Sequence, residues 1–329
     1  MTNIKTNKLL KITPKDEPYA AITWQVNNFC NFRCSYCNPG NWAGDLRNNG
    51  NIEVYKRNVR DLFKQYQDNG YKYFKIFYSG GEPTHWENFI PLTEYLKEEL
   101  GDNLTVAVNT NLSRPLTYWE KHVHLLDDVV ASFHVEFSKK DRYIENAIFL
   151  CDKVNYLCTK MLMHDERFWE VVEFGQRVRK EVPNYNLEWT PLFDEMSVNA
   201  GPWFYADTDK DKFLRDAKFE TVLTTTKPEK TNQAVSMSHY ESGIEATNSN
   251  KIIADRQNFF KGWTCHVDDA LFINPVGNIS SASCGMGKQH GNILDDDLTF
   301  DLDPIICQKD HCHCGTDIII PKHRSYDGL

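Results

Sequence analysis

Long apolar runs are missing from this sequence of 329 residues. No stretch approaches the roughly 18 apolar residues of a membrane-spanning helix, and the first thirty residues contain no apolar segment of signal-peptide length. We therefore expect no membrane association and a cytoplasmic location. An excess of positive charge is missing too, since the formal net charge is -9. A chain without a basic field is a poor partner for nucleic acid, so we expect none.

Cysteine is plentiful instead, with ten residues, eight of which fall into two groups. In a reducing cytosol such groups are more often metal ligands than disulfide partners. The first group, Cys30, Cys34 and Cys37, lies in "WQVNNFCNFRCSYCNPGNW" with no fourth Cys or His close behind it, whereas structural zinc sites use four protein ligands. Three thiolates on a four-iron cluster leave one iron free to bind another group. Cys151 and Cys158 stand among apolar neighbours, and we assign them no chemistry.

Strand-like and helix-like segments alternate along the first two thirds of the chain. The spacing of apolar residues predicts strands at 22–26, 71–81, 104–111, 128–137, 157–164 and 187–194, with helices at 52–70, 89–101, 115–127, 140–156, 166–182 and from near Trp203. Strands separated by helices of this length pair in parallel. Six units are too few for a closed eight-unit barrel. We expect an α/β fold built on a partial (β/α)6 TIM-like barrel.

The second predicted strand ends in "YSGGEPT", residues 78–84, where two glycines permit a close backbone approach. This motif, together with Cys-x3-Cys-x2-Cys directly after the first strand, resembles the radical S-adenosylmethionine (SAM) superfamily over roughly residues 18–200. The resemblance implies an enzyme whose 4Fe-4S cluster, held by Cys30, Cys34 and Cys37, binds SAM. Reductive cleavage of SAM then gives a 5'-deoxyadenosyl radical that abstracts a substrate hydrogen. The resemblance also implies an external electron donor such as flavodoxin or ferredoxin.

The resemblance further implies roles for side chains at the strand ends. Tyr36 would pack by the adenine of SAM, and the Gly-Gly-Glu-Pro motif would contact its amino group. Ser132, with Asn109 or Asn111, would contact its ribose or carboxylate. The expected SAM-binding residues are thus Tyr36, Ser79, Gly80, Gly81, Glu82, Asn109, Asn111 and Ser132.

Two titratable residues follow Ser132 with a period of two. His134 and Glu136 would face the same side of the fourth strand as Ser132, and either is a candidate for taking a proton from a substrate radical. A hydrogen-bonded His lining the barrel is the alternative interpretation of His134.

The tail from residue 263 carries the second cysteine group. A Cys, a hairpin with a Pro-x-Gly turn at 275–277, a second Cys and a late Cys group resemble the SPASM and twitch auxiliary-cluster domains. Five cysteines suffice for one auxiliary 4Fe-4S cluster with one thiol left over. Four of Cys265, Cys284, Cys307, Cys312 and Cys314 are the expected ligands, the first two being the safer. Zinc is the alternative, favoured by the neighbouring His311 and His313.

These segments predict three regions: the partial barrel at 1–205, a connector or insertion at 206–262, and an auxiliary-cluster domain at 263–329. An auxiliary cluster can accept an electron from a substrate radical, which favours oxidation (dehydrogenation) of a sugar, aminocyclitol or similar small molecule, or its epimerisation. Only about twenty residues precede the first predicted strand, whereas peptide-modifying relatives often carry a larger recognition domain. Modification of a ribosomally made peptide delivered by a partner is the alternative, and a non-enzymatic metal-binding protein is a distant one.

Overall fold

A computed structural model describes most of the chain. The residues outside the description are 1–7, 15–18, 46–49, 193–204, 206, 218–219, 223–235, 248, 297, 299, 301–302, 313 and 325–329. The predicted start of a helix near Trp203 and the candidate ligand His313 lie among them. No helix in the described part of the chain is long and apolar enough to cross a membrane.

A ten-stranded sheet forms the body of the protein, in the order β14-β13-β12-β2-β3-β4-β5-β6-β7-β8. Six consecutive strands of it run parallel, as the alternation with helices requires. They are β2 (Tyr19–Gln25), β3 (Tyr73–Ser79), β4 (Leu104–Thr110), β5 (Asp128–Phe133), β6 (Tyr156–Met163) and β7 (Tyr185–Pro191). Within the described residues the two edge strands, β14 and β8, do not pair with each other. The predicted α/β fold is confirmed, and an open sheet is compatible with a partial barrel.

Helices connect these strands and cover one face of the sheet. They are α1 (Ile52–Asp68), α2 (Phe89–Leu100), α3 (Leu116–His122), α4 (Lys140–Cys151), α5 (Phe168–Glu181) and α6 (Thr208–Asp216). In α1 the Asn51 side chain caps the first turn by accepting from the Glu53 amide, and the buried Tyr55, Val59 and Leu62 recur at helical spacing. This stripe packs on the alternate residues of β2 and β3 that face the helices. The opposite, concave face of the sheet is left for polar side chains.

The tail contributes to the main sheet, which the sequence did not predict. β12 (Ala270–Ile273) pairs in parallel with β2 and in antiparallel fashion with β13 (Asn278–Ser281), which in turn pairs with β14 (Gln289–Asn292). The turn of this predicted hairpin is formed by Gly277 at φ +91, whose amide donates to Asn274 O at 2.9 Å. The remaining strand of this sheet, β8 (Glu220–Val222), runs antiparallel to β7.

A second sheet gathers strands from three distant parts of the chain, in the order β10-β9-β1-β16-β11-β15. Its strands are β1 (Leu9–Pro14), β9 (Ser236–Tyr240), β10 (Gly243–Thr247), β11 (Trp263–Cys265), β15 (Ile305–Ile306) and β16 (Lys322–Arg324). Two short helices, α7 (Ser249–Ala254) and α8 (Gly315–Ile318), accompany it. The expected connector at 206–262 therefore contains regular elements in its described parts. The three-region division of the chain stays a prediction.

Candidate functional site

The first cysteine group lies on the loop that leaves the carboxyl end of β2. An antiparallel bridge between Phe29 and Ala43 closes the base of this loop. Within it, the Cys37 amide donates to Cys34 O at 3.1 Å, and the Phe32 amide donates to Cys30 Sγ at 3.4 Å. Burial raises the pKa of Cys30 to about 11 and that of Cys34 to about 12. Metal ligation requires thiolates, so binding of a metal at this loop must displace these protons.

The Gly-Gly-Glu-Pro motif packs directly against this loop. Gly81 donates its amide hydrogen to Asn27 O at 3.1 Å, and the Glu82 amide donates to Phe29 O at 2.7 Å. A Cβ on Gly81 would stand 2.0 Å from Phe29 O, and one on Gly80, at φ +124, would stand 2.6 Å from Asn27 O. The group that approaches these two glycines closely is thus the backbone of the chain's own cysteine loop. The motif fixes the loop above the end of β3.

The Glu82 side chain ties the ends of β3 and β4 together. It is 1% exposed and accepts four hydrogen bonds, which come from Thr84 Oγ1 (2.7 Å), the Thr84 amide (3.2 Å), Thr110 Oγ1 (2.8 Å) and the Asn111 amide (2.8 Å). Burial raises the pKa of Glu82, against the four hydrogen bonds that lower it. The Asn111 side chain in turn donates to Asn31 Oδ1 at 2.9 Å, beside Cys30. A connected set of hydrogen bonds therefore holds the cysteine loop on the sheet.

His134 and Glu136 also support the cysteine loop, but they do not lie on a strand. β5 ends at Phe133, so the expectation that both continue its alternation with Ser132 is wrong. The Tyr36 hydroxyl lies 2.8 Å from His134 Nδ1, and the Glu136 carboxylate accepts from the Ser35 amide at 2.9 Å. Burial lowers the pKa of His134 to about 4, so the ring is neutral at pH 7. Their proposed proton transfer stays a prediction.

Six polar side chains form a row across the concave face of the parallel sheet. Gln25 is in register with Ser79, Ser132 with Lys160, and Lys160 with Glu188, while Ser132 Oγ donates to Asn109 Oδ1 at 2.9 Å. Lys160 and Glu188 form an ion pair of 3.2 Å and are 29% and 15% exposed. The row is Gln25, Ser79, Asn109, Ser132, Lys160 and Glu188.

Sequence reasoning singled out Ser79, Asn109 and Ser132 of this row and missed the Lys160–Glu188 pair. The missed signal is a charged residue at an inward position of an otherwise apolar strand, in "LCTKMLM" and "NLEWTPL".

Four of the five tail cysteines line one pocket. Its walls come from the second sheet, from the segment that follows β13 and from α8 with the segment before it, and its thiols are Cys265, Cys284, Cys307 and Cys312. The fifth thiol, Cys314, is the N-cap residue of α8, and its Sγ lies 3.0 Å from Thr316 Oγ1. The structure thus groups the two safer candidates with two of the three that sequence reasoning left open.

Two lysines line the same pocket. The Lys309 amine is buried and has no hydrogen-bond partner among the described residues. Lys322, 2% exposed, donates to Ile318 O at 2.9 Å. Cationic side chains in a pocket of four thiols fit an anionic tetrathiolate metal group, because thiolates and ammonium groups then compensate one another.

Neither cysteine group is arranged as the site of a single ion. In the described residues, no three or more His, Cys, Asp or Glu side chains form a group that could hold one metal ion. Each thiolate of a four-iron cluster binds a different iron, so cluster ligands stand farther apart than ligands that share one ion. A four-iron cluster therefore does not require such a single-ion group.

Comparison with known proteins agrees with this arrangement. Residues 24–183 match the family model described as the Radical SAM superfamily. These residues form a radical SAM domain. The match spans the cysteine loop, the Gly-Gly-Glu-Pro motif and the parallel strands β3 to β6. The prediction that the chain is an enzyme is confirmed, and the domain implies one 4Fe-4S cluster and SAM as cofactors.

Individual relatives are remote. A "GTP 3',8-cyclase" of Actinobacillus pleuropneumoniae serotype 3 (strain JL03) is 24% identical over 123 residues, which are 36% of this chain and 35% of the relative. The chain therefore matches about a third of the length of this curated relative. The solved structure of native anSMEcpe with bound AdoMet superposes with a TM-score of 0.52 at 15% identity, covering 84% of this chain and 78% of the other. Streptococcus suis SuiB bound to S-adenosylmethionine gives 0.46 at 15% identity, over 84% and 64%. The first structure shows a shared fold, and the second supports no further inference.

Proposed function

We propose that this radical SAM enzyme carries two 4Fe-4S clusters and oxidises a small polar substrate such as a sugar or an aminocyclitol. The SAM-binding cluster is held by Cys30, Cys34 and Cys37. The auxiliary cluster is held by Cys265, Cys284, Cys307 and Cys312. When bound, the SAM cluster and its cofactor supply a 5'-deoxyadenosyl radical that removes a hydrogen atom from the substrate. The single observation that carries the proposal is the pocket in which four tail thiols meet the buried amine of Lys309.

The residues around the cysteine loop hold it rigid. Glu82 and the glycines bind it to the sheet, while His134 contacts the loop's Tyr36 hydroxyl and Glu136 accepts from its Ser35 amide. A fixed loop keeps its three thiols at the separation that a cluster requires, without the cost of ordering a flexible segment.

The row of polar side chains supports a polar substrate. Ser79, Asn109 and Ser132 offer neutral donors and acceptors for SAM next to the cysteine loop. Lys160 and Glu188 offer a charged donor and a charged acceptor further along the row, on β6 and β7. Hydroxyl and amino groups of a sugar or aminocyclitol can bind both. Desolvated charges inside a concave site are typical of functional positions.

Iron content tests the two-cluster assignment. Anaerobically reconstituted protein should contain about eight irons per chain, and replacement of Cys30, Cys34 and Cys37 together by Ala should leave about four. The matched control is Cys151→Ala, a buried thiol at the end of α4, which should leave all eight. A triple variant that kept all its iron would contradict the first site. Zinc in place of iron in that variant would contradict the auxiliary cluster.

Release of 5'-deoxyadenosine tests the enzyme chemistry. With dithionite and SAM, the reduced protein should form it slowly even without substrate, and Cys34→Ala should form none. Protein with verified, reducible clusters that forms no deoxyadenosine would contradict the proposal.

Isotope transfer tests the reaction type. A panel of sugars and aminocyclitols deuterated at the reacting carbon is offered in light water. Oxidation moves deuterium into deoxyadenosine and gives a product two hydrogens poorer, since the substrate radical loses a proton and one electron. Epimerisation also moves deuterium into deoxyadenosine, but it gives a product with a solvent hydrogen at that carbon and therefore with the mass of the unlabelled substrate. A product with the mass of the unlabelled substrate, or turnover only with a ribosomally made peptide, would overturn the proposed oxidation of a small molecule.

A further inference from the structure

The two lysines that line the tail pocket differ in their hydrogen bonding. Lys322 donates to the carbonyl oxygens of Asp317 and Ile318 at 2.6 and 2.9 Å, so its ammonium is held at the carboxyl end of α8. Lys309 differs, because its buried amine has no hydrogen-bond partner in the described part of the chain. Both line the pocket of Cys265, Cys284, Cys307 and Cys312.

An unpaired buried ammonium is costly, so the charge of Lys309 needs a compensating group. Isolated buried charges cost several kcal/mol and are retained where an opposite charge faces them. Asp317, an acidic residue that also lines the pocket, already accepts hydrogen bonds from the Ser283 amide at 3.2 Å and from Ser283 Oγ at 2.8 Å. The buried Lys309 amine lines the same cavity as the thiols of Cys265, Cys284, Cys307 and Cys312. The groups in this cavity that can compensate the charge of Lys309 are therefore the thiolates of these four cysteines.

We infer that Lys309 is the electrostatic partner of the auxiliary site and sets its reduction potential, while Lys322, held by the carbonyl oxygens of α8, adds a second fixed positive charge to the pocket. This assignment rests on the proposed auxiliary cluster. Neither lysine is a ligand. Each acts electrostatically, on the ligand thiolates and on the net charge of the metal group that these thiolates bind.

The direction of the effect follows from charge. One-electron reduction makes a tetrathiolate cluster more negative by one unit, and a fixed cation in a low-dielectric pocket stabilises the more negative state. Removal of the Lys309 charge should therefore lower the midpoint potential. An auxiliary cluster with a lower potential is a poorer acceptor for the electron of a substrate radical. Lys309 thereby favours oxidation of the substrate over return of a hydrogen atom.

The experiment isolates the auxiliary cluster in the full-length chain. All proteins carry the replacement of Cys30, Cys34 and Cys37 by Ala, so that the remaining iron belongs to the tail. Redox titrations followed by electron paramagnetic resonance then compare Lys309→Met, Lys309→Arg and Lys261→Met. The last is a matched control, because Lys261 pairs with Asp310, the residue next to Lys309 in the sequence, at 2.8 Å, but its side chain is 61% exposed and does not line the pocket.

Lys309→Met should change the equilibrium constant for reduction at least tenfold, which for a one-electron couple is a shift of about 59 mV to a more negative potential. The midpoint potentials of Lys309→Arg and Lys261→Met should stay near that of the parent triple variant. Loss of iron from Lys309→Met with iron retained in Lys309→Arg would support the assignment as well, since the positive charge would then be what the thiolates require. Iron present with an unshifted potential in Lys309→Met would overturn the role of Lys309. Absence of iron from the parent triple variant would overturn the auxiliary cluster itself and this assignment with it.

Discussion

Glu82 offers the sharpest test of how the radical SAM motif works in this chain. The family resemblance assigns the Gly-Gly-Glu-Pro motif to the amino group of SAM, whereas all four hydrogen bonds that Glu82 accepts in the structure come from the chain itself. Replacement by Gln keeps the shape and removes the charge. The two interpretations give different results for this variant.

The loss of stability in Glu82→Gln should be small. The amide oxygen can accept from the Asn111 amide, and the amide nitrogen then faces the hydroxyls of Thr84 and Thr110, both of which can rotate to accept. Only the bond from the Thr84 amide, at 3.2 Å, is lost without replacement. We expect a cost of about 1 kcal/mol for this bond. Glu82→Ala leaves four donors unpaired and should cost about 4 kcal/mol at about 1 kcal/mol each.

The difference between wild type and Glu82→Gln should depend on pH. The pKa of Glu82 is raised above its ordinary value of 4.5, chiefly by burial, so the folded state binds the proton more tightly than the unfolded state. The carboxyl group therefore contributes this stability fully at pH values below 4.5 and loses it as the pH rises through the raised pKa. As the pH falls from neutral, the free energy of unfolding of the wild type should therefore rise relative to that of Glu82→Gln.

Urea unfolding followed by circular dichroism gives the stability, and calorimetric titration of the reconstituted protein gives the affinity for SAM. If Glu82 acts by holding the cysteine loop, Glu82→Gln should keep the affinity for SAM and lose only about 1 kcal/mol of stability, and Glu82→Ala should lose both together. A Glu82→Gln variant that unfolds like the wild type but no longer binds SAM would refute this reasoning, because the carboxylate would then contact the cofactor itself.

Three further changes follow from the same contacts. Gly81→Ala places a Cβ 2.0 Å from Phe29 O and should abolish iron binding at the cysteine loop while the tail keeps its iron; eight irons would contradict it. Cys312→Ser should lose the auxiliary iron, whereas Cys314→Ser should keep it; the reverse result would exchange the two as ligands. Deletion of 263–329 removes the strand that pairs with β2 and should give insoluble protein rather than a folded domain, measured as the soluble fraction after expression.

Local sequence patterns were enough to predict the parallel strands and the helices between them. Their periodicity reflects burial of one helix face and of one strand face, which are properties of single segments. The end of β5 was placed four residues too late because "FHVEF" continues the alternation in sequence. In the structure a turn begins there, in which the amides of Phe137 and Ser138 donate to His134 O at 3.0 and 2.8 Å. Polar residues that alternate with apolar ones do not distinguish a strand from such a turn.

The second sheet could not be predicted from local sequence patterns. β1, with "LLKITP", pairs with β9 and β16, which lie more than 200 residues further along the chain. These strands are short, and the contacts that stabilise them are made with one another. Pairing at such separations leaves no periodic signal in any one segment.

The spacing of cysteines in the sequence does not decide whether Cys312 or Cys314 is the auxiliary ligand. Two residues apart in an extended segment, the two thiols would face the same side, so sequence alone makes them equivalent. The start of α8 separates them in the structure. The Cys312 amide donates to Asn258 O at 2.8 Å, while Cys314 serves as the N-cap of the helix, beside Thr316. A helix start that depends on packing against a distant segment thus decides which thiol lines the pocket. In this protein the radical SAM loop is local enough to be identified from its spacing, whereas the proposed auxiliary ligands are defined only by tertiary structure.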